Sequence, residues 1–369
     1  MAWGSGSAAG SAPDATTRRC VRVDVLTLPH LLAALAIWLC AASAQASELV
    51  APRIVDPWPD PATIRNVRVE SVSFASSDPF SPQDFGRAPG RMVGAQLYLP
   101  SYAAAGRRAP AVVLLHGSAG NIAERGATYG PQLAAMGVAA MVVETYASRT
   151  DLATSFIDRV LHITESMFLA DAYGALAYLA GRPDIDPHRV VLAGFSYGGM
   201  AATYAMYAQI ADRLAPARLR FAGHVAFYAP CIARFADSRT TGAPLLILYG
   251  AEDELIRSAR CAQVADDLRR GGSDVTIISY PGAVHQWDGA MPRGLIGRQL
   301  AACRLRVERD GTVRDQRTLL PMNGPFLRKI ILGLCTEARP YPIGRDDRIR
   351  ALSNRDFGRF LSGVFSLND

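Results

Sequence analysis

The chain has 369 residues, half of them hydrophobic and a fifth charged, with a net charge of +6. That length could hold two domains, but single domains routinely run to well over about 200 residues and one is expected; the apolar and charged content is ordinary for a globular protein with a large core. The positive charge rests on scattered arginines, Lys329 being the only lysine, so there is no basic run of the kind that nucleic acid or an anionic membrane would require.

Near the start, Arg18, Arg19 and Arg22 precede an apolar stretch over residues 31–40, with small residues following through Ala44 and Ala46. This order predicts a secretory signal peptide over residues 1–46, cleaved before Ser47, and a mature chain that is secreted or periplasmic. The apolar run is too short to span a bilayer comfortably. An uncleaved signal is the alternative and would leave the chain membrane-anchored; after cleavage no stable membrane partner is expected.

Residues 47–66 are Pro-rich and read as an irregular surface arm. Residues 67–369 read as one catalytic domain with a Cys-bracketed insertion at about 301–340. Residues 67–74 and 92–99 predict an antiparallel opening pair of strands. The continuous apolar run 111–115 predicts a strand buried on both faces. A helix around 129–136, a strand at 138–143 and a longer helix at 165–179 follow. Asp186-Pro187-His188 predicts a turn into the strand 190–195, after which an Ala-rich helix covers 200–207. Strands at 221–228 and 245–249, an amphipathic helix at 259–270 and a strand at 274–280 complete the alternation, which builds an α/β fold with a mostly parallel central sheet and helices on both faces. Further on, Asp310-Gly311 predicts a hairpin turn after 305–308, and 356–365 a closing helix.

The most informative stretch is Gly194-Phe195-Ser196-Tyr197-Gly198-Gly199, where a strand breaks into Gly-x-Ser-x-Gly and continues as a helix. A serine on such a sharp turn is presented at a helix N-terminus, and only glycines two before and two after leave room for strand and helix to approach. A serine hydroxyl is a weak nucleophile and needs a base within hydrogen-bond reach, itself oriented by a carboxylate. Asp253, in Gly250-Ala251-Glu252-Asp253, and His285, in Tyr280-Pro281-Gly282-Ala283-Val284-His285, follow later strands in the order Ser, Asp, His. Both fall on loops at the carboxyl edge of the sheet, where active-site groups gather. Glu252 and Glu254 compete with Asp253 for the acid. His116, His162, His188 and His224 compete with His285, but only His285 has the late loop position. His224 reads as a core histidine and His188 as part of a turn. Two backbone N–H groups should hold an oxyanion, one from Tyr197 and one from Ser118 in the loop His116-Gly117-Ser118-Ala119-Gly120-Asn121, which His116 braces.

With these residues in place the chain resembles the α/β-hydrolase superfamily and, within it, the dienelactone hydrolase family. The likeness rests on His116-Gly117-Ser118-Ala119-Gly120, Gly194 to Gly199, Gly250-Ala251-Glu252-Asp253 and Pro281 to His285, and covers about residues 90–290. It implies a small-molecule ester substrate. Dienelactone hydrolases proper use a cysteine nucleophile; Ser196 in its place leaves ester hydrolysis intact but withdraws the argument for a dienelactone substrate. The elbow is also similar to that of prolyl-oligopeptidase-type peptidases, which carry a large propeller domain for which the upstream segment is too short. A peptidase or acyltransferase would use the same triad. A non-catalytic binding protein on this scaffold is the remaining alternative, and the presence of all three residues argues against it. No metal or organic cofactor is expected, and oligomeric state is not legible.

Beyond residue 46 the cysteines are Cys231, Cys261, Cys303 and Cys335. An even count in an exported chain favours disulfides, and no Cys-x-x-Cys spacing suggests a metal site. Cys231 follows one predicted strand and Cys261 begins the helix after the next, on the same sheet edge. Cys303 and Cys335 bracket a segment with a weak core of its own. The expected pairs are Cys231 with Cys261 and Cys303 with Cys335.

Overall fold

A computed structural model describes residues 52–105, 107–122, 125–215, 219–297 and 300–367; the signal peptide expected over 1–46 lies outside them. Two long alternating strands, β1 (Val67–Ser77) and β2 (Gly90–Pro100), open the fold as an antiparallel ribbon in register from Val67 opposite Pro100 to Ser77 opposite Gly90. The strands that follow, β3 (Ala109–Leu115), β4 (Ala139–Val143), β5 (Ile185–Phe195) and β6 (Gly223–Phe227), are apolar through most of their length and buried on both faces, as parallel strands covered by helices must be. After the short β7 (Ala233–Phe235) come β8 (Leu245–Gly250) and β9 (Val275–Tyr280). The eight-stranded sheet has the order β1-β2-β4-β3-β5-β6-β8-β9, parallel from β4 to β9 with β2 antiparallel to β4. Because β3 lies between β4 and β5, the order reverses there, and the loops after β3 and β5 face each other at the carboxyl edge.

The helices in chain order are α1 (Gly126–Ala135), α2 (Phe156–His162), α3 (Glu165–Ala180), α4 (Tyr197–Tyr204), α5 (Ala208–Leu214), α6 (Ser258–Arg270), α7 (Pro325–Cys335) and α8 (Asp347–Phe365). Alternation along β3 sends Val113 and Leu115 into one core with Phe168 of α3, Met200 of α4 and Leu268 of α6. Val112 and Leu114 join the opposite core with Tyr129 and Leu133 of α1 and Phe357 and Leu361 of α8. No helix among the described residues is long and apolar enough to cross a membrane.

Several expectations change. The described part of the arm, 52–66, is irregular apart from one 3-10 turn, Pro61–Thr63, but it is docked onto the domain. Trp58 is buried between Tyr129 and Phe357, with ring centroids 5.8 and 5.7 Å away, and the Arg53 N–H donates to the Met136 carbonyl at 3.0 Å. A Pro-rich segment gives no periodic sign of such an anchor. Residues 186–188 are no turn; they lie inside β5, where the pairing with β3 jumps from Ala109 opposite Ile185 to Ala111 opposite Val190. The bulge, with Pro187 unable to donate a ladder bond, imitates a turn in sequence. The elbow helix begins at Tyr197 and not at residue 200, because the backbone enters helix immediately after the serine. The closing helix begins at Asp347, capped by Asp346, whose carboxylate accepts from the Ile349 N–H at 3.0 Å.

In the insertion, β11 (Leu305–Val307) and β12 (Val313–Asp315) form the expected hairpin, and β7 adds to β11 in parallel as a third strand. Helix α7, which is not among the expected elements, follows, and β13 (Tyr341–Ile343) pairs antiparallel with β10 (Gly294–Ile296). Cys231 is bonded to Cys261 and Cys303 to Cys335, with Cα separations of 5.1 and 4.9 Å.

Candidate active site

Strand β5 delivers Ser196 on a backbone with φ 51° and ψ −107°, a left-handed conformation that costs a non-glycine residue on the order of 1–3 kcal/mol. The surrounding structure enforces it. A Cβ at Gly194 would sit 2.1 Å from the Gly198 carbonyl oxygen, and one at Gly198 would sit 2.5 Å from the carbonyl oxygens of Leu115 and His116. The glycines therefore permit the strand, the helix and the neighbouring β3 loop to meet around the serine. Tyr197 is the first residue of α4, so its N–H has no acceptor within the helix and stands at the positive end of the dipole.

Next to Ser196, the ring of His285 approaches through Nε2, 3.0 Å from the serine Oγ, and its Nδ1 lies 2.7 Å from Asp253 Oδ2. The other carboxylate oxygen of Asp253 accepts from the Leu255 N–H at 2.9 Å, which fixes its rotamer. All three side chains are buried. With Nδ1–H donated to the carboxylate, Nε2 faces the hydroxyl as an acceptor, the tautomer a general base requires. The loops carrying Asp253 and His285 lock together: the Glu252 N–H donates to the Ala283 carbonyl at 3.0 Å, and a Cβ at Gly250 would fall 2.2 Å from that same oxygen. Glu252 and Glu254 point elsewhere, pairing with Arg293 at 2.9 Å and Arg339 at 3.2 Å.

The β3 loop folds back as a turn in which the Gly120 N–H donates to the Gly117 carbonyl at 3.0 Å, with half-buried Ser118 at its tip. This turn abuts the elbow, since a Cβ at Gly117 would lie 3.4 Å from Ser196 Cβ. His116 is buried beneath it, Nδ1 donating to the Gly117 carbonyl at 2.9 Å and Nε2 accepting from the Tyr146 N–H at 3.3 Å. Burial pushes its pKa down to about 4, so the ring is a neutral brace. His224 is likewise a core residue: Nδ1 donates to the Ala202 carbonyl at 2.9 Å, and burial pushes its pKa down to about 3. His162 ends α2 and His188 is exposed within β5.

Three groups around the site carry no motif. Arg125, only 2% exposed, places its guanidinium over the rings of Phe195 and Tyr228 at 5.4 and 5.6 Å. Its Nε donates to Asp288, which also accepts from the Tyr228 hydroxyl at 2.6 Å, and its two Nη atoms have no hydrogen-bond partner among the described residues. Burial opposes the Arg125 charge, and Asp288, Tyr228 and Tyr129 together more than offset it, so its pKa lies above the ordinary arginine value. Tyr228 stands edge-on to His285, ring centroids 4.8 Å apart. Beyond residue 300, β13 straps the histidine loop: the Gly344 N–H donates to the His285 carbonyl at 2.9 Å, and the Tyr341 ring lies 6.1 Å from that of His285. No sequence signal marks these residues: Arg125 precedes α1, Tyr228 follows β6 and Asp288 lies in the loop after His285, and their spacing does not say what they face.

A doubly covered, mostly parallel sheet that presents a serine on a strand-to-helix elbow defines an α/β-hydrolase. The sequence profile of the dienelactone hydrolase family matches residues 93–300, more than half of the chain. The chain belongs to the dienelactone hydrolase family and is a hydrolase acting on ester bonds. No curated protein sequence matches it.

Among solved structures, it is similar to a Klebsiella pneumoniae protein assigned as a dienelactone hydrolase, at 20% identity and a TM-score of 0.46 over 60% of this chain and 89% of that one. It is similar, too, to a dienelactone hydrolase-like promiscuous phosphotriesterase from metagenomic libraries, at 18% identity and 0.45 over 60% and 85%. A thermophilic esterase from Thermogutta terrifontis matches at 16% identity and 0.43 over 61% and 86%.

Proposed function

We propose that this chain is an exported serine hydrolase that cleaves carboxylic esters through Ser196, His285 and Asp253. The observation that carries this reading is the continuous hydrogen-bonded chain from the Ser196 hydroxyl through His285 to Asp253, at 3.0 and 2.7 Å. His285 Nε2 takes the serine proton as Oγ attacks the ester carbonyl. Asp253 holds the ring and stabilises the imidazolium, and the N–H groups of Tyr197 and Ser118 receive the negative charge on the tetrahedral oxygen. The imidazolium then protonates the leaving alkoxide. Water, deprotonated by the same histidine, releases the acid from the acyl-enzyme and restores the serine.

Export rests on the basic, apolar and Ala-x-Ala segments within residues 1–46 and is supported by the two disulfides, which persist in oxidising compartments. A fluorophosphonate probe tests the nucleophile. It should add one label to the mature protein and none to Ser196→Ala, in which turnover of p-nitrophenyl esters falls by several orders of magnitude. Labelling or turnover that survives in Ser196→Ala refutes the reading. Parallel assays with peptide substrates and alcohol acceptors separate ester hydrolysis from peptidase and acyltransferase activity.

A further inference from the structure

We propose that the protein carries a second binding site, a basic cleft for a small polyanion bearing two or more phosphate or carboxylate groups, built where the loop after β6, the start of α6 and the 301–340 insertion meet. The cleft has a volume of about 700 Å³, within the range of roughly 300–1,000 Å³ typical of small-molecule sites. No residue of the triad lines it. Five arginines do, Arg234, Arg257, Arg260, Arg304 and Arg317, against one carboxylate, Glu337.

The internal partners leave most of that charge uncompensated. Arg234 is neutralised by Asp267 at 2.6 Å, and Arg257 meets Glu337 only at 3.8 Å with both side chains exposed, a separation and exposure at which a pair contributes little. Among the described residues Arg260 has carbonyls alone for acceptors, those of Ala301 at 2.9 Å and Cys303 at 2.7 Å, and Arg317 donates to the Leu334 carbonyl at 3.1 Å. Arg304 has no carboxylate within ion-pairing distance among the described residues. Burial, followed by repulsion from Arg304, Arg257 and Arg317, holds Arg260 below the ordinary arginine value, the sign expected where cations converge without counterions. Helix α6 starts on the same wall, with Ala259 and Arg260 of its first turn lining the cleft, so its positive dipole end adds to the field.

Walls of like charge repel, and this cleft is held together covalently. Cys231–Cys261 joins the loop after β6 to α6, and Cys303–Cys335 closes the insertion that forms the third wall. The arginines are thus assembled before any ligand arrives, which lowers the ordering cost of binding. Guanidinium groups pair bidentately with both phosphate and carboxylate oxygens. The surplus of cations exceeds what one monoanion would neutralise.

Calorimetric titration of the mature, disulfide-bonded protein at low salt tests the site, with pyrophosphate as the phosphate probe and citrate as the carboxylate probe. Saturable binding is expected, weakened by added salt and by roughly tenfold or more in Arg304→Gln/Arg317→Gln. It should be unchanged in Arg306→Gln, whose exposed side chain pairs with Glu308 outside the cleft. Tighter pyrophosphate binding assigns a phosphorylated ligand, and tighter citrate binding a polycarboxylate. Ester turnover in the double variant serves as the control for folding; if turnover is lost, the single Arg304→Gln replaces it. The absence of saturation with either probe at millimolar concentration, or equal affinity in protein and variant, overturns the proposal.

Discussion

Arg328 Nη2 donates to the Tyr197 hydroxyl at 3.0 Å, joining helix α7, outside the region shared with the family, to the residue that follows the elbow serine. The same guanidinium pairs with Glu165 at 3.0 and 3.2 Å and donates to the Val160 carbonyl at 2.9 Å. Burial opposes the Arg328 charge, and Glu165, with Tyr197 and Tyr146, more than offsets it. Arg328→Met removes the cation and leaves a shielded carboxylate behind. Breaking a buried pair in this way costs about 3–5 kcal/mol. Denaturant unfolding should show that loss, and Arg328→Met/Glu165→Leu should recover much of it. A single variant as stable as the parent would show that the pair does not hold α7 to the elbow.

The acid of the proposed triad is tested by its neighbours. Asp253→Asn should fold normally and lose about 10⁴ in kcat, because the amide holds the imidazole in the wrong tautomer. Glu252→Gln and Glu254→Gln, whose parent carboxylates pair with surface arginines, should stay close to the parent enzyme. A reversed pattern in steady-state kinetics would move the acid to another position in the loop.

Two buried neutral histidines make stability sensitive to acid. His116 and His224 are held down at about 4 and about 3 in the folded protein, against a reference of about 6.5 in the unfolded chain. Between these values the unfolded state binds the extra protons, so their contribution to stability is fully present above about pH 6.5 and is lost as pH falls toward the folded values. With both histidines, the slope peaks at about 2.5 kcal/mol per pH unit near pH 5 and falls to about 2 toward pH 4 and pH 6. His224→Leu should roughly halve that histidine component in urea titrations run across this window. Equal slopes in the two proteins would mean that His224 already titrates normally when folded.

The disulfides close loops of 30 and 32 residues in sequence separation, and each contributes about 4 kcal/mol in the chain-entropy account. Non-reducing peptide mapping should recover Cys231 with Cys261 and Cys303 with Cys335; free thiols or crossed pairs would refute the connectivity. Cys303→Ser/Cys335→Ser should lower the denaturation midpoint. It should also weaken polyanion binding more than ester turnover, since the staple borders the basic cleft.

The sequence alone determined the parallel sheet and the three residues brought together at its carboxyl edge. Those signals are local: a strand buried on both faces has to be a continuous apolar run, and the elbow needs glycines at fixed offsets from Ser196. Tertiary structure decided the rest. Asp253, and neither adjacent glutamate, faces His285 because the turn of the loop directs each side chain differently. Trp58 lies in a Pro-rich segment that shows no sign of burial, because its partners, Tyr129 and Phe357, lie far along the chain. Strands as short as β7, β10 and β13 contain too few residues to show alternation. The meeting of Arg125 with Asp288, of Arg328 with Tyr197, and of the arginines across the cleft depends on contacts between segments whose spacing carries no periodic trace of one another.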